Sequence, residues 1–177
     1  MRVISGICGG LPLKSLPGLD TRPTTDKVKG AIFSILHGNI AGARVLDLFS
    51  GSGAMAIEAL SRGAESAVLV DSSRKAVEII NKNLEFTRLS ASVVCRNAED
   101  FLTGCAEKFD LIFMDPPYFS SHITECTKII SGKNLLAEDG IIVAECDEKE
   151  EFPENPGGFT LIDKRLYGRV CVRFYKK

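Results

Sequence analysis

The sequence predicts an α/β domain, doubly wound about a mostly parallel seven-stranded sheet that ends in an antiparallel hairpin, with a small N-terminal extension. Three observations predict it. From Arg44 onward, short apolar runs alternate with helical periodicities, the order of repeated strand–helix units. The apolar runs are near-continuous, as in a parallel sheet covered on both faces. The terminal stretch "GFTLIDKRLYGRVCVRFYKK" holds two strand patterns about a Tyr-Gly turn, with no room for a crossover helix, so they must pair antiparallel.

Residues 1–43 show little regular pattern before "TTDKVKGAIFSILHG". Thr24 or Thr25 can cap a helix over 26–37, with Val28, Ile32, Phe33 and Leu36 on one face. His37 caps its end and Gly38 stops it. The Gly- and Pro-rich "GGLPLKSLPGLDTRP" before it reads as an extended arm or hairpin. The chain therefore divides into a basic arm and helix, 1–43, and an α/β domain, 44–177. In that domain "ARVLDLF" is the first strand and "GSGAMAIEALSRG" a glycine turn and helix. "AESAVLVD" is the second strand. "SSRKAVEIINKNLEFTRL" is a helix with Ala76, Val77, Ile80 and Leu84 on its apolar face. "ASVVC", "FDLIFMD" and "GIIVAEC" are further strands, with "AEDFLTGC" and residues 121–131 as helices. The last two strands cover about 159–164 and 169–175.

With 177 residues, 45% of them apolar, the chain suits one domain with a real core. No run of about 18 apolar residues offers a membrane span. "MRVISGICGGLPLK" lacks the pattern of a signal peptide. The cysteines at 8, 95, 105, 126, 146 and 171 form no CxxC pair, and two histidines are too few for a zinc site. They read as free, mostly buried thiols in a reducing, cytoplasmic setting. The net charge of −1 conceals a division. Residues 1–44 carry six bases and two acids, residues 163–177 six bases and one acid, and the middle ten bases and twenty acids. If both ends fold to one side, they focus a positive field there.

"VLDLFSGSGAMAIEAL" places Gly51, Gly53 and Ala56 between a strand and a helix, a GxGxxA pattern. Asp71 follows twenty residues after Gly51, at the end of the second strand, where a carboxylate can accept two ribose hydroxyls. Together they point to an adenosine-containing ligand. Asp47, four residues before Gly51, would crowd a pyrophosphate but suit a cationic amine. The ligand is then an amino-acid-bearing nucleoside, unless Asp47 only orders the loop. Asn97 or its neighbour Ala98, after the third strand, could meet the adenine edge.

"FDLIFMDPPYFSSH" puts Asp115, Pro116, Pro117 and Tyr118 at the end of the fourth strand, beside the glycine loop at the sheet's switch point. Prolines fix a loop whose carbonyls point outward as acceptors. An exocyclic base amine is a poor nucleophile because its lone pair is delocalised. Hydrogen bonds from its two N–H groups to Asp115 and the Pro116 carbonyl would draw the nitrogen toward tetrahedral geometry. Tyr118 can stack on a base swung out of its helix or loop. His122 follows this loop closely enough to line the cleft, though a solvated loop residue is the plainer reading.

These residues carry a resemblance over almost the whole chain. "MRVISG", "LPGLDTRPTTDKVKGAIFSIL", "VLDLFSGSGAMAIEALSRGAESAVLVD", "FDLIFMDPPY" and "KRLYGRVCVRFYKK" are similar to the RsmD family of bacterial 16S rRNA guanine-N2 methyltransferases. The family is a branch of the Rossmann-like class I methyltransferases that use S-adenosylmethionine. The resemblance implies methyl transfer to a guanine N2 of 16S rRNA in the small subunit, by a cytoplasmic monomer without a metal. Asp47, Phe49, Gly51, Ser52, Gly53, Asp71, Ser72, Asn97 and Ala98 are then the donor site. Asn97 stands where the family usually has aspartate. Asp115 to Tyr118 are the catalytic loop, and Arg22, Lys27, Lys29, Arg165 and Arg169 meet RNA. An adenine-N6 methyltransferase would use the same loop but usually carries a sizeable recognition region. A protein-glutamine methyltransferase would normally have asparagine at position 115. An NAD-dependent oxidoreductase needs an acid–base pair that neither histidine supplies. A non-catalytic RNA-binding domain should have lost Asp71 or DPPY.

Overall fold

The computed structural model describes residues 1–15, 26–153 and 155–177. Arg22, Thr24 and Thr25, a candidate RNA contact and the two candidate caps, lie outside these residues. Among those described, the strands are β1 (Arg44–Leu48), β2 (Ser66–Asp71), β3 (Ser92–Cys95), β4 (Phe109–Met114), β5 (Leu136–Asp147), β6 (Thr160–Tyr167) and β7 (Val170–Lys176). They form one sheet of order β3-β2-β1-β4-β5-β7-β6. Strands β1 to β5 are parallel, while β7 is antiparallel to both β5 and β6. The last hairpin strand is thus inserted between β5 and β6.

The helices are α1 (Asp26–Ile35), α2 (Ala54–Ser61), α3 (Arg74–Thr87), α4 (Ala98–Gly104) and α5 (His122–Gly132). Successive side chains of a strand point to opposite faces, so continuous apolar runs feed two cores. Val45, Leu111, Phe113 and Val143 join α1, α2, α3 and the N-terminal arm on one face. Leu46, Leu48, Ile112, Met114 and Ala144 join α4 and α5 on the other.

Three boundaries differ from expectation. Helix α1 stops at Ile35, and His37 and Gly38 belong to a separate 3-10 turn, His37–Asn39. Strand β5 begins at Leu136, because an irregularity in its pairing with β4 lets the chain bulge and resume at Leu111↔Ile141. The helix expected over 121–131 begins at His122, whose ring contacts Glu99 and Phe49 instead of standing in solvent. Five cysteines are buried and Cys95 is exposed, all without disulfides.

The arm is a hairpin closed by an Arg2↔Pro12 bridge, and it buries Val3, Cys8 and Leu13 in the core. Its anchor is a carboxylate. Glu58 of α2 accepts the amides of Ile4 at 2.7 Å and Ser5 at 3.0 Å, and Nε of Arg62 at 2.7 Å. Lys29 Nζ stands 3.3 Å from Glu58, and donates to the Arg2 carbonyl at 2.6 Å. Both side chains are wholly buried. This corrects the assignment of Lys29 to the RNA surface: its ammonium is a strut between α1, α2 and the arm. Burial lowers the Lys29 pKa, and the Glu58 charge opposes that shift. Removing one member of a buried pair leaves the other uncompensated. Lys29→Met is therefore expected to lower the unfolding free energy by about 3 to 5 kcal/mol, read from urea denaturation. An unchanged midpoint would mean that Arg62 and the two amides satisfy Glu58 alone.

Candidate active site

The carboxyl ends of β1 and β4 are neighbours, with Leu48 opposite Met114. The two loops singled out in the sequence therefore emerge side by side. The first turns sharply: Phe49, Gly51 and Gly53 have φ of 61°, 55° and 77°. At Gly53 a Cβ would come within 2.8 Å of Leu69 Cδ2, and the left-handed φ of 77° favours glycine there. At Gly51 a Cβ would meet nothing nearer than 4.0 Å, and the loop backbone faces open space. A ligand can approach that backbone closely, as the donor reading requires.

Three carboxylates hold this edge. Asp71, half-buried at the end of β2, accepts the Gly51 amide on Oδ2 and the Ser73 amide on Oδ1, each at 2.8 Å. A carboxylate has about four acceptor positions, so about two remain for a ligand. Asp47, 3% exposed, accepts the Ala56 amide at 3.2 Å and so orders the start of α2. Glu150, just after β5, accepts the Phe119 amide of the second loop. Ser52 is held by Asn83, whose Nδ2 donates to its carbonyl at 2.9 Å. Asn83 also exchanges hydrogen bonds with the Lys14 backbone, tying the arm to the glycine loop. Asn97 is exposed at the N-cap of α4, Ala98 is buried, and Ser72 is exposed.

In the second loop Asp115 is half-buried, Pro116 buried and Pro117 exposed. Tyr118 donates its hydroxyl to Glu145 Oε1 at 3.0 Å, and Glu145 is buried on β5. Burial, then the Glu145 and Asp115 charges, push the Tyr118 pKa far above its ordinary value, so its hydroxyl stays a donor. Phe119 takes φ 59°. Its amide donates to Glu150 Oε1 at 2.6 Å, while Glu150 Oε2 accepts the Asp147 amide at 2.7 Å. Below the loop, His122 Nδ1 lies 2.6 Å from Glu99 Oε1, joining α4 to α5, and its ring sits 5.1 Å from that of Phe49.

Of the basic candidates, Arg169 pairs with Asp147 at 3.0 Å and Arg165 with Asp163 at 2.9 Å. Both are exposed, as is Lys27. Asp147 ends β5 and pairs with Val170, so the hairpin turn carrying Arg169 lies at the same sheet edge as Asp115. The start of the arm reaches that edge as well, since Ser52 Oγ is 3.6 Å from Met1 Sδ and the Arg2 amide donates to Asp26.

Sequence reading missed Glu58, Glu145 and Glu150, which lack any local signature. Asn83 had one: it follows Ala76 and Ile80 on the buried face of α3.

A sheet of this order, with β7 reversed and a glycine loop beside an Asp-Pro-Pro-Tyr turn, is the fold of the class I methyltransferases. The chain belongs to the family described as Conserved hypothetical protein 95, whose model matches residues 1–176. It is 43% identical to YlbH of Bacillus subtilis (strain 168) over 182 residues, covering 100% of this chain and 99% of that one. It is 34% identical to the ribosomal RNA small subunit methyltransferase D of Escherichia coli (strain K12) over 180 residues, covering 100% and 90%. The solved structure of Escherichia coli YhhF superposes with a TM-score of 0.88 at 34% identity, covering 100% of this chain and 97% of that one.

The Asp47 pKa is pushed up to about 7 by burial, with the Ala56 bond opposing and the Asp71 charge reinforcing it. The folded state thus keeps a proton that an unfolded aspartate releases near its ordinary pKa of 3.8. Between these values stability falls as pH rises, by about 1.4 kcal/mol per unit. Asp47→Asn cannot ionise. The stability of wild type minus that of the variant should therefore decline from about pH 4 to about pH 7 and level off above. A difference independent of pH in urea melts would mean that Asp47 is ionised throughout.

Proposed function

We propose that this protein transfers a methyl group from S-adenosylmethionine to the exocyclic N2 amine of a guanine in 16S rRNA of the small ribosomal subunit. The observation that carries the reading is the Asp115–Tyr118 loop standing beside the Gly51–Gly53 loop on adjacent strand ends. The Escherichia coli relative's name, a small-subunit rRNA methyltransferase, supports the substrate class.

When bound, the donor supplies an electrophilic methyl on a sulfonium. The remaining acceptor positions of Asp71 take the ribose hydroxyls, beside Ser72. The Asn97 amide and the Ala98 backbone face the adenine edge. The loop from Phe49 through Ser52 to Gly53 wraps the amino-acid part, and Asp47, giving up its proton as the ammonium arrives, balances that charge. The Asp115 carboxylate and the Pro116 carbonyl accept the two N–H bonds of the guanine amine. That turns the lone pair toward the methyl, and Asp115 takes the proton late. Tyr118, its hydroxyl fixed on Glu145, presents a ring to the swung-out base. Positioning and electrostatics suffice for such an in-line attack. Arg169, Arg165 and Lys27 meet RNA phosphates at this edge. The same reading has the protein act as a cytoplasmic monomer without a metal.

Asp71→Ala is expected to weaken donor binding by about 2 to 4 kcal/mol. Calorimetry showing wild-type affinity would remove Asp71 from the donor site. Asp115→Ala should leave donor binding intact but slow single-turnover transfer to small-subunit particles by about 100-fold or more. Mapping methylated nucleotides in rRNA from a strain lacking the protein, restored by wild type but not by Asp115→Ala, tests the whole reading. Methyl found on adenine N6 would replace it with the rival chemistry.

A further inference from the structure

Phe119 follows the catalytic loop and is 66% exposed. Phe33, Phe109, Phe113, Phe159 and Phe174 are all buried. Phe86 is also exposed, but it lies on the regular helix α3. Phe119 instead has a left-handed backbone, φ 59°, which an aromatic residue rarely adopts. Such strain persists only where the surroundings enforce it. Here Glu150 does so by accepting the Phe119 amide at 2.6 Å. Glu150 is itself fixed by the Asp147 amide and by Arg173, whose Nη2 donates to its carbonyl at 3.2 Å. Asp147 in turn pairs with Arg169 at the hairpin turn. The ring therefore stands on a scaffold continuous with an arginine available to phosphate. The neighbouring Tyr118 ring is tethered through its hydroxyl to Glu145, so the two rings are held by different carboxylates.

We propose that Phe119 is a wedge: it enters the RNA beside the target guanine and occupies the space left when that base swings out to Asp115. The inference rests on the reaction proposed above. Extruding a base forfeits its stacking, and an apolar ring inserted in its place restores much of it. Tyr118 serves the extruded base and Phe119 the gap. The left-handed backbone aims the second ring away from the course that a regular turn would give it.

The test compares wild type, Phe119→Gly, Phe119→Ala and Phe119→Trp. Glycine is at ease at this φ, so Phe119→Gly removes the ring while relieving strain and keeps or raises thermal stability. Both small variants are expected to lose about tenfold or more in kcat/KM on small-subunit particles, with donor affinity unchanged. Phe119→Trp should retain most activity. A benzophenone side chain placed at position 119 should cross-link to rRNA. A wild-type protein that transfers no methyl to rRNA overturns both the reaction and the wedge. An active wild type matched by Phe119→Gly, or a cross-link to a ribosomal protein alone, overturns the wedge and leaves the reaction standing.

Discussion

The buried Glu58 carboxylate is the constraint on which the rest of the molecule depends. It sits on α2, the helix that the glycine loop opens into, and it collects partners from three directions: Lys29 of α1, the amides of Ile4 and Ser5, and Arg62. Arg62 then lies 5.0 Å above the Phe33 ring, and Phe33 packs against Phe113 at 5.7 Å. Phe113 is two residues from Asp115. A continuous set of contacts thus runs from the arm, through α2 and α1, to the strand that carries the catalytic loop. Charges buried in this way are costly unless each is fully partnered. That cost makes the arrangement all-or-none and fixes where α2 can lie.

The carboxyl edge of the sheet uses acids in a second manner. Asp47, Asp71 and Glu150 accept backbone amides, so the loops that must hold ligands are set before any ligand arrives. Preorganisation of this kind favours reactions that need orientation more than a strong base. The acids also explain the division of charge. An edge holding Asp47, Asp71, Asp115 and Glu145 is hospitable to a sulfonium, an ammonium and amine N–H groups, and hostile to phosphate.

How much of this could be read from the chain follows from what each feature depends on. Parallel strands declare themselves through continuous apolar runs, and glycine and proline motifs through backbone restrictions that act locally. The places of the glycine loop and of Asp115–Tyr118 at strand ends were legible for that reason, and β1 and β4 bring these loops together as the strand order implied. Lys29 was not legible. It stands two residues from the exposed Lys27 and looks like it; only Glu58, far along the chain, shows that one ammonium is interior and the other is not. Glu145 and Glu150 were hidden for the same reason, since their partners lie about thirty residues away in the catalytic loop. The ends of α1 and β5 were misplaced because a 3-10 turn and a bulge follow packing rather than composition.

The reversed strand β7 joins these themes. Inserted between β5 and β6, it runs against β5, so Val170 lies opposite Asp147 and the turn of the hairpin emerges beside the catalytic loop. A crossover connection to another parallel strand would bring the chain back at the opposite edge and carry Arg169 away from Asp147. The reversal therefore puts the most basic part of the chain against its most acidic edge. Strand pairing holds that contact, with the Arg169–Asp147 pair at its rim. Because Asp147 also gives its amide to Glu150, Arg169 is linked through Asp147 and Glu150 to Phe119. The hairpin turn and the Asp115–Tyr118 loop are thereby two ends of one chain of polar contacts.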